Sequence, residues 1–193
     1  PDIMVLAKLA DGADETAVKE ALEAHRQSQH DTFSWYLAQN LPKVEDARIL
    51  VEDGYVFYLI AENADAGEAA FTAALAALDC LKNTGVDPLE IDAILCITEE
   101  WKEYPLTTSA CYVQDRIGAW NAWGIDVQNR CCTCVSAMKM AKDLLIADDE
   151  CNTVLVCGGY RNCDLIDFTD NNVSFMFNLA AGGGAILLKK NYG

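Results

Sequence analysis

Three cysteines lie within four consecutive residues, about two-thirds of the way along the chain. Cys131, Cys132 and Cys134 follow a predicted buried strand, residues 124–128, and open a predicted helix with an apolar face. The amino terminus of a helix offers unpaired N–H groups and the positive end of the helix dipole. A thiol at such a position ionises more easily, and the thiolate is the nucleophilic form. Cys131 is therefore a candidate nucleophile for covalent acyl transfer.

The same cysteines allow other chemistries. Cys131 and Cys134 have the C-x-x-C spacing of a zinc ligand pair or of a redox dithiol. No second pair at matching spacing follows, since five residues separate Cys157 from Cys163. We therefore expect no metal site, and the redox alternative stays open. Cys132 and Cys134 are interpreted as core or helix-face residues.

Length, charge and cysteine content limit the class of protein. The 193 residues are enough for one sizeable domain, and the formal net charge is −16. That charge argues against binding of nucleic acid, which requires clustered lysine and arginine. No apolar run reaches the length of a membrane span, and no signal-peptide pattern opens the chain. Nine cysteines at irregular spacing predict free thiols in a reducing, cytoplasmic compartment.

Residues 1–63 predict a small α+β unit with the order βα(α)ββ. Residues 3–9 predict a strand, and Asp14 is expected to cap the helix that follows. A second helical stretch is predicted over residues 31–41, and Pro42 is expected to end it. An Asp-Gly turn between two apolar runs then predicts a hairpin.

Residues 64–193 predict an α/β domain in which helices alternate with apolar strands. Such strands are typical of a parallel or mixed sheet that helices cover on both faces. The predicted helices are 67–82, 108–117 and 132–147, and the predicted strands are 91–98, 124–128, 153–157 and 185–188. Residues 63–67 are expected to be a polar, flexible connection. The run from Gly182 to Gly184 predicts a tight turn into the last strand.

Four motifs in this second part follow one another in a specific order. They are Gly85-Val86-Asp87-Pro88-Leu89-Glu90-Ile91-Asp92, then Tyr104-Pro105, then the small-residue helix Thr108 to Gly118, and then Asp126-Val127-Gln128-Asn129-Arg130-Cys131. In this order they resemble the amino-terminal half of a β-ketoacyl-ACP synthase of the third type, over about residues 67–191. The resemblance implies a thiolase-like fold, an acyltransferase activity and a role in fatty acid biosynthesis.

The resemblance also implies roles for single residues. Cys131 matches the cysteine that takes the acyl group from acyl-CoA or an acyl carrier protein, before condensation with a malonyl-type unit. Tyr104 matches an aromatic residue that reaches across a dimer interface towards the partner's acyl tunnel. Gly182 and Gly183 match a backbone turn beside the substrate. No cofactor is expected beyond the acyl donor. Residues 169–172, Thr-Asp-Asn-Asn, lack the arginine that would help hold a CoA phosphate, so both donors stay open.

The family also uses a histidine and an asparagine from a second half-domain. The two histidines of this chain, His25 and His30, lie far upstream. We therefore expect residues beyond Gly193, a dimer or a partner subunit to supply both groups. The chain opens on Pro1 without a methionine, so we expect a processed or truncated chain. The alternative function is a non-catalytic assembly subunit with an amino-terminal docking module.

The first 65 residues or so resemble a different family. Asp2-Ile3-Met4-Val5, residues 17–24 and Tyr55-Val56-Phe57 are similar to a small uncharacterised domain of cell-envelope proteins in Gram-positive bacteria. Such a domain would serve binding or structure. The resemblance implies that the chain is a fusion or a composite of two parts.

Overall fold

The computed structural model describes residues 3–52, 54–61, 64–98, 108–161, 169–176 and 181–191. The helices and strands are β1 (Ile3–Lys8), α1 (Glu15–Phe33), α2 (Leu41–Glu45), β2 (Arg48–Glu52), β3 (Tyr55–Ile60), α3 (Ala64–Thr84), β4 (Ala93–Ile97), α4 (Ser109–Ile117), β5 (Trp123–Val127), α5 (Thr133–Ala147), β6 (Thr153–Arg161) and β7 (Ala181–Lys189). Contacts divide the chain into two units, Pro1–Glu68 and Ala69–Gly193. The predicted boundary after residue 63 stays a prediction. Among the described helices, none has the length and apolar character needed to cross a membrane.

The first unit is a three-stranded antiparallel sheet with α1 and α2 packed on it. β3 lies in the centre, between β1 and β2. Tyr58 and Ile60 on β3 are buried together with one residue from each helix. Asp14 caps α1, as predicted, by accepting hydrogen bonds from two backbone N–H groups of the first turn. The predicted βα(α)ββ order is confirmed.

Three predictions for this part of the chain are wrong. The second helix does not lie over residues 31–41, because α1 ends at Phe33 and α2 begins at Leu41. Pro42 does not end a helix, because it lies in the first turn of α2. A proline fits there since the N–H that it lacks would have no partner within the helix. Residues 64–67 are not a flexible connection, because α3 begins at Ala64. Gly67 has a packing role in that helix: a Cβ on it would lie 2.6 Å from Leu59 Cδ2.

The second unit is a mixed four-stranded sheet in the order β5-β4-β6-β7, with helices on both faces. β4 pairs in parallel with β5 and β6, whereas β7 runs antiparallel to β6. Ile94 and Cys96 pack with α3 and α4, while Ala93 and Leu95 pack with α5 on the opposite face. This alternation follows from the two-residue period of a strand that is buried on both sides. The predicted architecture is confirmed.

The glycine run is not the predicted turn. Gly182, Gly183 and Gly184 lie within β7 and pair with residues 158–160 of β6. A Cβ on Gly183 would lie 2.8 Å from the carbonyl oxygen of Thr72 on α3, whereas a Cβ on Gly182 or Gly184 would meet nothing within 4 Å. Successive strand residues point to opposite faces. The run therefore lets α3 approach closely on one face and leaves the other face open.

Asp126 on β5 ties this strand to the beginning of α4. Its two carboxylate oxygens accept hydrogen bonds from the backbone N–H groups of Ser109 and Ala110, each at 2.9 Å. Thr108 occupies the N-cap position of α4 but makes no capping hydrogen bond with its side chain. The helix is thus capped by a residue from a neighbouring strand.

We expect Asp126→Ala to lower the free energy of unfolding by about 1–2 kcal/mol, because two N–H groups lose their acceptor. Urea denaturation measures the change. Asp115→Ala, at an exposed position of α4, is the matched control and should cost no more than about 0.5 kcal/mol. Equal losses in the two variants would contradict the capping role.

Candidate active site

The turn before α5 positions Cys131. Residues Arg130–Cys132 form a single 3₁₀ turn that leads directly into α5. The φ angle of Arg130 is +50°, in the left-handed region that residues other than glycine rarely adopt. Such a conformation costs about 1–3 kcal/mol and persists only where the surrounding structure fixes it. Specific contacts must therefore hold this turn.

Thr133 supplies those contacts through one buried hydroxyl. Its Oγ1 accepts a hydrogen bond from the N–H of Asn129 at 2.8 Å and donates one to the carbonyl oxygen of Arg130 at 2.6 Å. The side chain of Asn129 in turn donates to Ser136 Oγ at 2.9 Å. Thr133 is only 1% exposed, so water does not compete for these bonds. The backbone on both sides of Cys131 is held in place as a result.

Cys131 opens onto a cavity of about 650 Å³ within the second unit, called here the Cys131 cavity. The beginning of α5 and the glycine run of β7 both line it. Its apolar and aromatic walls include Ile97, Val156, Tyr160 and Ile186. An exposed thiol beside such a space can reach a bound ligand.

The three clustered cysteines differ in what they face. All three are exposed, as expected of helix-face residues rather than core residues. Cys131 and Cys134 line the Cys131 cavity, whereas Cys132 does not. Residues three apart at the beginning of a helix lie on one side, which explains why Cys131 and Cys134 share the cavity. Cys132 is therefore a natural control for experiments on the other two.

The structure brings three of the four predicted site residues to one cavity. Cys131, Gly182 and Gly183 all line it. Of the two glycines, only Gly182 has open space for a side chain, because a Cβ on Gly183 would point at Thr72 of α3. Tyr104 lies outside the described residues, so its role stays a prediction. Thr133 was not predicted, and a single threonine two residues after a cysteine is a weak signal.

Both histidines belong to the first unit, where they lie on α1. The Nδ1 atom of His25 lies 2.9 Å from the hydroxyl oxygen of Tyr58, in a hydrogen bond. Burial raises the pKa of the Tyr58 hydroxyl, so this group stays neutral at ordinary pH. The second unit has no histidine of its own, because the chain has only these two.

The described thiols do not form a metal cluster. In the described part of the chain, no group of three or more histidine, cysteine, aspartate or glutamate side chains could hold a metal ion. Eight cysteines are described and all are free. Zinc bound by Cys131 and Cys134 would therefore need ligands from outside the described residues. The alternative that these two thiols act as a redox pair stays a prediction.

Other thiols lie in the core of the second unit. Cys96 on β4 and Cys157 on β6 are direct neighbours in the sheet, and both are buried. The hydrogen bond with Cys96, and then burial, raise the pKa of Cys157 well above its ordinary value. Burial likewise raises the pKa of Cys151. Cys151 and Cys157 therefore stay protonated in the folded protein at pH values where the unfolded chain would ionise them.

We expect brief treatment of the native protein with iodoacetamide at about pH 8.5, near the ordinary pKa of a thiol, to modify only exposed cysteines. Modification should appear at Cys111, Cys131, Cys132 and Cys134, and should be absent at Cys96, Cys151 and Cys157. Peptide mass mapping measures both groups. Because Cys151 and Cys157 have raised pKa values in the folded state, their contribution to stability is lost as the pH rises further. Equal labelling of Cys157 and Cys131 in the native protein would contradict the burial.

Two families match separate parts of the chain. Residues 125–193 match the family described as 3-Oxoacyl-[acyl-carrier-protein (ACP)] synthase III. Residues 2–61 match a domain of unknown function, DUF4358. The two matches do not overlap, and they fall in the second and the first unit respectively.

Curated relatives are similar to the second unit. The Beta-ketoacyl-[acyl-carrier-protein] synthase III of Koribacter versatilis is 35% identical over 128 residues, which cover 65% of this chain and 37% of that protein. The corresponding enzyme of Chlorobium luteolum is 33% identical over 103 residues, which cover 53% of this chain and 31% of that protein. The chain thus spans about a third of the length of these relatives.

A solved structure has the same fold over this region. The priming β-ketosynthase of the R1128 polyketide biosynthetic pathway superposes with a TM-score of 0.56 at 28% identity, covering 62% of this chain and 34% of that chain. Both resemblances predicted from the sequence are therefore confirmed at the level of the matched families. The second unit has a thiolase-like fold and is homologous to the amino-terminal region of 3-oxoacyl-ACP synthase III, and the first unit matches a domain of unknown function.

Proposed function

We propose that the second unit is the nucleophile-bearing part of an acyltransferase that loads an acyl group onto Cys131. The observation that carries the proposal is an exposed thiol that lines the Cys131 cavity, on a turn that the hydrogen bonds of Thr133 hold in place. The position of this cysteine in the matched family segment supports the same role.

In the proposed reaction the Cys131 thiolate attacks the carbonyl carbon of an acyl-CoA or acyl carrier protein thioester. A new carbon–sulfur bond forms, and the bond to the donor sulfur breaks when the tetrahedral intermediate collapses. The donor leaves as a thiolate and then takes up a proton. Backbone N–H groups at the beginning of α5 are suited to stabilise the oxyanion of that intermediate.

The acyl group on Cys131 would next be condensed with a malonyl-type unit that loses CO₂, giving a 3-oxoacyl product. This step needs groups that stabilise the carbanion and the thioester oxygen. The second unit has no histidine for that purpose. We therefore propose that a dimer, a partner subunit or a further segment of chain supplies these groups. We also propose that the reaction uses no cofactor, since the acyl-CoA or acyl carrier protein is a substrate.

Mass spectrometry after incubation with acetyl-CoA and with longer acyl-CoA donors tests the proposal. The expected result is a gain of one acyl group on the peptide that contains Cys131. Fragmentation of that peptide distinguishes Cys131 from Cys132 and Cys134. If Cys131 gains no mass while a thiol titration shows it to be free, acyl transfer is contradicted.

A second candidate function is a non-catalytic assembly subunit. It is favoured by apolar residues on the outer side of α5, where Val135 is 66% exposed and Ile146 is 68% exposed. A partner that covered this side of α5 would remove both apolar side chains from water. The first unit would then act as a docking module. Size-exclusion chromatography with light scattering tests this function, and a monomer at high concentration would contradict it.

The location that we propose is cytoplasmic. All eight described cysteines are free thiols, which favours a reducing compartment. Thiol titration of protein prepared without reductant tests this, because a chain from an oxidising compartment would yield fewer free thiols.

A further inference from the structure

One arginine lines the Cys131 cavity of a chain that is otherwise strongly acidic. The chain has 30 acidic and 14 basic residues. Among the described residues that line the cavity, Arg130 is the sole charged one. Arg26, Arg48 and Arg116 each have a carboxylate oxygen within 4.0 Å. No carboxylate in the described part of the chain pairs with Arg130, so its charge remains available to a ligand.

The backbone position of Arg130 is an unfavourable one for arginine. Its φ of +50° suits glycine, and it suits asparagine better than a long side chain. The hydroxyl of Thr133 holds this conformation through the carbonyl oxygen of Arg130. The chain therefore accepts local strain to keep a cation immediately next to the candidate nucleophile. Strained residues of this kind cluster at functional sites.

We infer that Arg130 binds a carboxylate of the acyl group itself, so that the preferred donor is a dicarboxylic acyl thioester such as a succinyl thioester. The inference rests on the proposed acyl transfer for its choice of substrate. A guanidinium group presents a planar fork that matches a carboxylate with two parallel hydrogen bonds. Arg130 is exposed, so the pair would form at the edge of the cavity, where salt can weaken it.

Other anions of the reaction fit this position less well. The phosphates of CoA or of a carrier protein are separated from the thioester by the whole pantetheine arm, whereas Arg130 is adjacent to Cys131 in the chain. The carboxylate of a malonyl-type unit has to leave as CO₂, and a guanidinium ion bound to it would oppose that loss. A carboxylate at the far end of the acyl group is free of both objections.

Two alkylating agents of similar size but different charge test the anion site without any acyl donor. The quantity measured is the ratio of the iodoacetate rate constant to the iodoacetamide rate constant at Cys131. This ratio cancels general changes in the reactivity of the thiol. Arg130→Gln should lower it by about tenfold, the usual size of a lost hydrogen bond between charged groups.

The controls separate charge from folding. Arg130→Lys keeps the charge but loses the planar fork, so it should retain only part of the ratio. Arg116→Gln, which removes an exposed cation of α4, should leave the ratio unchanged. Added salt should lower the ratio in the wild type more than in Arg130→Gln, because exposed charges are screened. A ratio that stays the same in Arg130→Gln would overturn the inference.

The substrate class is tested with succinyl-CoA and butyryl-CoA, which share a four-carbon acyl chain and differ in the terminal carboxylate. We expect faster acylation of Cys131 by succinyl-CoA, and a loss of about tenfold in that preference in Arg130→Gln. If the variant slows both donors equally, Arg130 acts on their shared part and the inference is overturned. If neither donor acylates Cys131 while the alkylation ratio behaves as expected, the proposed function and the substrate class fall, and the anion site stands.

Discussion

Cys131→Ala is expected to lower the rate of acyl attachment by at least about 1,000-fold, because the substitution removes the atom that forms the new bond. The structure exposes this sulfur and places it in the lining of the Cys131 cavity. The measurement is a time course of acyl gain with an acyl-CoA donor, followed by intact mass. A variant that still gains the acyl group at the wild-type rate would contradict the role.

The neighbouring cysteines provide matched controls. Cys132→Ala should keep the rate within about threefold, since an exposed substitution usually changes free energies by no more than about 0.5 kcal/mol. Cys134→Ala is the more demanding comparison, because Cys134 lines the same cavity. Loss of acylation in Cys134→Ala but not in Cys131→Ala would assign the reaction to the other sulfur.

The second large effect is expected on stability, from Gly159→Ala. A Cβ at this position would lie 2.5 Å from the carbonyl oxygen of Ala69 and 2.7 Å from the backbone nitrogen of Ala73. Both contacts are with the backbone of α3, which can relieve them only by moving away from the sheet. We expect a loss of about 3 kcal/mol in the free energy of unfolding, measured by urea denaturation.

Gly184→Ala is the control for this prediction. Gly184 pairs with Gly158 in the same two strands, and a Cβ on it would meet nothing within 4 Å. Its stability should stay within about 1 kcal/mol of the wild type. Similar losses in the two variants would show that glycine is needed in these strands for a reason other than the approach of α3.

Elements with strong local signals could be predicted from the sequence. Asp14 caps α1 as expected, and Gly118 ends α4 with a φ of +76°, a conformation that suits glycine. The apolar run of β4 has no polar face, and the structure buries it on both sides. In these places the residue types, their period and the final packing favour the same structure.

Elements that depend on distant contacts could not be predicted in the same way. Glycine has a low strand propensity, so the sequence of residues 182–184 favours a turn when the contact with α3 is not known. The close approach of Thr72 reverses that preference at Gly183. The prediction for Pro42 was wrong for a simpler reason, because proline is common both after the end of a helix and in its first turn.

At the candidate site, too, one feature could be predicted from the sequence and others could not. The order of motifs in the sequence identified Cys131 by resemblance, and the structure gives it an exposed position. The left-handed turn at Arg130 and the hydroxyl of Thr133 carry no sequence signal of their own. They become visible only when the hydrogen bonds around the turn are known. Tyr104 lies outside the described residues and remains untested.

Because β7 is pleated, neighbouring residues of its glycine run differ in the space available for a new side chain. Substitutions at 182 and 184 would project side chains into the cavity, because no neighbouring atom lies within 4 Å of the Cβ that they would carry. Substitutions at 183 would press on a helix instead. A mutant library confined to 182 and 184 could therefore reshape the space beside the reactive sulfur, and select new ligands for it, while the helix–sheet contact on the reverse side stays intact.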